Sequence, residues 1–157
     1  MLMPLDYVKL WELNPGDDPE NVILDLLGKA RDKIYMSSRL SMDFYNRPRV
    51  KEQMIAAANR TKEFRLLLDN TTKWDALKDQ VPWIEELARM NKITIRESPN
   101  NIPHWLIVDE RYVRLEKPHI GKESRSQGNL VIDCKSRFLI NSLIEEYNGW
   151  WNAGRLI

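Results

Sequence analysis

The chain has 157 residues, 43% of them apolar and 30% charged, a balance that excludes intrinsic disorder and leaves room for one ordinary domain. Its 24 basic residues against 23 acidic ones leave a formal net charge of +1. That argues against a strongly electrostatic binder of anionic membranes or nucleic acid, leaving nucleic acid as a partner through a local patch alone.

In chain order, residues 1–17 read as an N-terminal arm, or a short helix carrying Trp11, closed by the turn Asn14-Pro15-Gly16. Residues 18–157 read as the domain proper. Asp17 or Asp18 caps a first helix with Pro19 at its first position, and Val22, Ile23, Leu26, Leu27 and Ala30 form its buried stripe. Lys33 to Ser38 is a strand, Arg39 to Asn46 a polar and aromatic loop, and Arg47-Pro48 opens a helix whose inner face carries Val50, Met54, Ile55 and Ala58. Phe64 to Asp69 is a second strand, apolar enough to be buried on both faces. A helical region then runs to about Asn91, broken at Val81-Pro82, with Trp83, Ile84, Leu87 and Met90 inside.

Three β-type runs follow, Ile93 to Arg96, Trp105 to Val108 and Tyr112 to Leu115, the last two joined by a hairpin turn at Asp109-Glu110-Arg111. Lys117 to Gly128 is a polar loop. Leu130-Val131-Ile132 is the last strand, and Ser136 caps a final helix with Leu139, Leu143, Tyr147 and Trp150 along one side. Trp150 and Trp151 are neighbours and cannot share one face, so at least one of them must cover an edge, meet a partner or be capped by the tail from Ala153 to Ile157. The order predicts a mixed-sheet α/β domain with α+β character late, its strands parallel early and antiparallel late.

Both histidines, His104 and His119, fall at one end of the hairpin ribbon, within roughly 10 Å at ideal strand spacing, with Glu116 near both. They define a candidate polar site; the bland alternative is polar capping where strands leave the sheet. A metal site built from the histidines with Asp109 and Glu116 has no supporting spacing, and Asp109 lies at the far end of the ribbon. No G-x-S-x-G turn supports a serine hydrolase. The single cysteine, Cys134, excludes an intramolecular disulfide and reads as a small core residue. No metal and no cofactor is expected.

Ile107-Val108-Asp109-Glu110-Arg111-Tyr112 resembles the I-V-D-D-R-Y run at the motif aspartate of the phospholipase D-like superfamily, and Asn129 to Asp133 with the Trp-ended helix resembles its closing strand and helix. The strands at Lys33 to Ser38 and Phe64 to Asp69 are similar to its first two. The resemblance covers most of residues 18 to 152 and implies a single-repeat domain of that fold, helices packed on both faces of the sheet. Its catalytic motif, H-x-K-x-x-x-x-D, is degenerate here. With Asp109 as the structural motif aspartate, Ile102 stands at the nucleophilic histidine and His104 at the lysine, while Glu116-Lys117-Pro118-His119 replaces G-S-x-N. Counting instead from His104 puts Leu106 at the lysine position. An isoleucine supplies neither a nucleophile nor a cationic donor.

These readings lead to a non-catalytic module that binds a phosphate-bearing or other small anionic ligand through His104, Arg114, Glu116, His119, Ser38 and Arg39, in a regulatory or assembly role. Ligands of open α/β sheets gather beyond the carboxyl ends of parallel strands, and arginine grips such anions bidentately. The alternative is a residual phosphodiesterase or nuclease using His104 and His119 across a dimer. One-repeat chains of the resembled family imply a homodimer. No helix-turn-helix is evident before residue 18. Apolar runs are far too short to span a bilayer, and Met1 to Asp6 lacks the regions of a signal peptide, so a cytoplasmic location is expected.

Overall fold

The computed structural model describes residues 8–13, 18–116 and 129–157. In chain order the elements are β1 (Val8–Leu13), α1 (Glu20–Lys29), β2 (Lys33–Ser38), α2 (Met42–Tyr45), α3 (Pro48–Arg60) and β3 (Glu63–Leu68). Then come α4 (Trp74–Leu77), a 3-10 turn (Lys78–Gln80), α5 (Pro82–Arg89), β4 (Thr94–Glu97), β5 (Trp105–Val108) and β6 (Tyr112–Glu116). The chain closes with β7 (Asn129–Cys134), α6 (Arg137–Ala153) and β8 (Arg155–Leu156). The strands join in one mixed sheet, ordered β1-β7-β6-β5-β2-β3-β4-β8. β2, β3 and β4 run parallel, and every other pairing is antiparallel.

Alternation along the strands divides the core in two. Ile34, Met36, Phe64, Leu66, Leu68, Leu106 and Val108 point to the layer of α1, α3, α4 and α5. Tyr35, Leu67, Trp105, Ile107, Val113 and Ile132 point to α6. The strands in the middle of the sheet are therefore apolar on both sides, as the sequence run at Phe64 to Leu68 predicts. Tyr147 anchors α6: its ring stacks on Tyr35 at 5.4 Å and its hydroxyl donates to the Met36 carbonyl oxygen at 3.0 Å.

Several expectations change. Residues 8–13, read as arm or short helix, form a strand along β7, with Trp11 opposite Val131. Pairing with an otherwise open sheet edge decides the conformation of so short a segment. The loop expected from Arg39 to Asn46 contains the single turn α2. The inner stripe of α6 is Ile140, Tyr147 and Trp151, with Leu139, Leu143 and Trp150 on its flanks. Met90 is 53% exposed, because α5 ends at Arg89 and the chain turns away through Asn91 at φ 58°. The paired tryptophans both find cover within the chain: Trp150 packs on Trp105 at 4.6 Å, and Trp151 lies between the guanidinium groups of Arg65 and Arg96. The expected loop at 117–128 lies outside the described residues.

The β5–β6 hairpin turns through the three residues between the paired Val108 and Tyr112, with Asp109 and Glu110 both at φ 55°, the left-handed geometry of the central positions of a type I′ turn. Aspartate tolerates this region; glutamate has no such advantage. Glu110→Gly should therefore stabilise the fold by about 0.5 kcal/mol, the relieved strain of about 1 kcal/mol being partly offset by lost ion pairs. Those pairs run to Lys33 at 3.8 Å and Arg137 at 3.3 Å. Denaturant midpoints of the two proteins measure the difference, and a lower midpoint for the variant would refute this reading of the turn.

Candidate functional site

Four chain segments end at one edge of the sheet: the carboxyl ends of β2, β3 and β6, and the beginning of β5. The β5–β6 register runs one step past the strands, where the Glu116 amide donates to the His104 carbonyl oxygen at 3.1 Å. His104 and Glu116 thus stand side by side, and Arg114 lies two residues before Glu116 on the same face. The Ser37 hydroxyl fixes the approach to β5, donating to the Pro103 carbonyl at 2.7 Å and accepting from the Trp105 amide at 2.8 Å.

His104 is held from both sides. Its Nε2 lies 2.5 Å from Asp69 Oδ2 and its Nδ1 lies 3.1 Å from Glu116 Oε2. Burial works against the charged ring, but the two carboxylate hydrogen bonds and the negative charges behind them prevail, raising its pKa from 6.5 to about 9. At neutral pH the ring is an imidazolium that donates to both acids. Burial likewise works against ionised Asp69, yet hydrogen bonds from His104 and Thr71 hold its carboxyl below the ordinary value. Formally, two acids face one imidazolium and one guanidinium.

Arg114 is 6% exposed and its Nη2 lies 3.9 Å from Glu116 Oε2, too far for a good hydrogen bond. Burial lowers its pKa, against the opposing influence of Tyr45 and Glu116. Among the described residues, Arg114 Nε is one of two buried side-chain polar atoms with no hydrogen-bond partner. The other, Arg96 Nε, belongs to a group that donates through Nη1 to the Trp151 carbonyl and lies against the Trp151 ring. A buried orphan donor is costly, of the order of 1–3 kcal/mol, unless something outside the chain completes it.

Beside Arg114 is a half-open cleft of about 210 Å³, whose polar lining includes Ser38, Arg39, Ser41, His104, Arg114 and Glu116. Five of the six ligand-site residues expected from sequence therefore share one cavity; the sixth, His119, lies outside the described residues. Ser38 accepts from the Leu40 amide at 2.9 Å and hydrogen-bonds the buried Tyr45 side chain. Asp109 is remote, as its place at the far end of the ribbon requires. Its carboxylate accepts from the amides of Arg31, Asp32 and Lys33 at 2.8, 2.7 and 2.9 Å, tying the hairpin to the start of β2.

Sequence reasoning missed Asp69 and Tyr45. Asp69 had a legible signal, an acid closing an apolar strand at the carboxyl end of a parallel pair. Tyr45 had none, because α2 was not foreseen. Ile102, at the nucleophile's position in the motif alignment, is buried in the apolar layer under α6. Among the described residues no group of three or more His, Cys, Asp or Glu side chains is arranged to hold a metal ion. A larger groove of about 470 Å³ lies between α1 and β6–β7, lined by Val22, Leu26, Tyr112 and Val131. Its lining also includes Asn21, Asp25, Lys29 and Asp133.

The chain has a phospholipase D-like fold, a mixed α/β domain with helices on both faces of its sheet. It is similar to Nuc, a phospholipase D family member from Salmonella typhimurium, with a TM-score of 0.65 and 19% identity over 96% of this chain and 97% of that one. It is also similar to TrmBL2, an archaeal chromatin protein, with a TM-score of 0.71 and 17% identity over 95% of this chain. The phosphatidylserine synthase of Haemophilus influenzae Rd KW20 matches with a TM-score of 0.68 and 13% identity over 96% of this chain. The chain spans 55% of TrmBL2 and 40% of the synthase. No family model matches the sequence, and no curated protein matches it. No helix among the described residues is long and apolar enough to cross a membrane.

Proposed function

We propose that the domain is a non-catalytic phospholipase D-like module that holds a small anionic ligand in the cleft beyond β2 and β3, in a regulatory or assembly role. One observation carries this reading: His104 has both ring nitrogens engaged by buried acids, while Arg114 lines the cleft with its buried Nε lacking a hydrogen-bond partner among the described residues. A nucleophilic histidine needs a nitrogen free to attack phosphorus, and a doubly bound imidazolium offers no lone pair. A buried guanidinium with a spare donor favours an anionic acceptor. Ser38 and Arg39 supply the second wall, as beyond any parallel strand end. The expectation of a homodimer remains part of the proposal, and size-exclusion at twice the chain mass would accord with it.

Small anions should raise the melting temperature, ligand at a hundredfold over its Kd contributing about 2.7 kcal/mol. Arg114→Gln should abolish the shift. A chromogenic phosphodiester and single- and double-stranded DNA should show no turnover above the blank. Turnover that disappears in His104→Gln would replace the binding reading with the phosphodiesterase one.

A further inference from the structure

Resting on the anion-site reading above, we propose that the cleft selects a monoanionic carboxylate carrying a compact apolar body, such as an aromatic or short branched acid, over a phosphate dianion. Two features of the cleft carry this. The first is its charge arrangement. Asp69 and Glu116 lie beside the two buried cationic groups, Asp69 2.5 Å from the His104 ring and Glu116 within reach of both His104 and Arg114. The third cation of the cleft, Arg39, is half-buried, where water weakens its pull on a second ligand charge. A ligand meets a donor whose positive charge already faces an acid. One carboxylate oxygen can accept from the Arg114 guanidinium, which lines the cleft; a dianion brings a second charge against Glu116, in a low-dielectric setting where like charges repel strongly.

The second feature is the apolar part of the lining. Ile23, Phe44, Tyr45, Trp105 and Leu106 line the cleft. Its volume of about 210 Å³ exceeds the roughly 150 Å³ of an engineered apolar cavity that takes benzene. That leaves room for a ring or branched chain with its carboxylate, and apolar walls contribute binding in proportion to the area they remove from water. Inorganic phosphate, a compact and fully hydrated ion, gains nothing from them.

Isothermal titration with benzoate, inorganic phosphate and benzyl alcohol tests this on the unmodified protein. Benzoate should bind at least about tenfold more tightly than either of the others, the difference a hydrogen bond to a charged group supplies. Arg114→Gln should remove that margin over benzyl alcohol. Glu116→Gln should narrow the gap between benzoate and phosphate. Phosphate binding more tightly than benzoate would overturn the carboxylate inference and leave the anion site standing. Benzyl alcohol matching benzoate, or no binding by any of the three to folded protein, would overturn both. An unchanged gap in Glu116→Gln would overturn the electrostatic basis of the selectivity.

Discussion

His104→Ala is expected to destabilise the domain by about 3–5 kcal/mol, since it strands two buried acids without their shared cation. Asp69 and Glu116 are 2% and 9% exposed, so water cannot replace the ring at little cost. The same interaction makes stability depend on pH. The His104 pKa is about 9 in the folded protein against an ordinary 6.5. Its contribution is complete below pH 6.5 and disappears as pH rises through 9, a loss of about 3 kcal/mol. Asp69 acts in the opposite sense: its lowered pKa adds stability above pH 3.8 that vanishes as the acid is protonated. The cluster is therefore strongest between these limits. Urea denaturation on both sides of the alkaline transition should show the wild type weakening and His104→Ala changing little. Parallel profiles for the two proteins would show that His104 is not the group that titrates.

Asp109→Ala is expected to cost about 2–4 kcal/mol, from three amide hydrogen bonds to a charged acceptor and from alanine placed in the left-handed region. The amides of Arg31, Asp32 and Lys33 all converge on this carboxylate, and Asp109 itself sits at φ 55°. Asp109→Asn, which tolerates that backbone and keeps one acceptor oxygen, should recover about half the loss. Asparagine differs from alanine in both respects, so equal midpoints for the two variants would mean that neither the acceptor oxygens nor the turn geometry contributes. Ligand binding should survive in both, because Asp109 is at the end of the ribbon opposite the cleft.

The contrast between the two positions shows how far local pattern reaches. Strands β2, β3, β5 and β6 and helices α1 and α3 were legible because each is an apolar pattern, one-sided in the helices and two-sided in the central strands, bounded by turn or helix-start residues. The hairpin also placed His104 beside Glu116, because antiparallel register follows from turn length. The strand at residues 8–13 was not legible: what makes it a strand is the open edge of β7, more than a hundred residues later in the chain. The two-residue β8 is the same case at the other edge, formed where the chain after α6 returns to β4.

Asp69 marks the boundary within the site itself. Its identity and its place at the end of an apolar strand are in the sequence, but its reach to His104 spans 35 residues and depends on β2 lying between β3 and β5. The sequence by itself determined the fold class and the grouping of His104, Arg114 and Glu116 on one ribbon, since these depend on residue type and short-range spacing. The tertiary structure alone decided that His104 is clamped between two acids and that Arg114 is buried with a donor that has no partner among the described residues. Burial and charge pairing are properties of what the sheet brings together, and strand order is not encoded in any one strand.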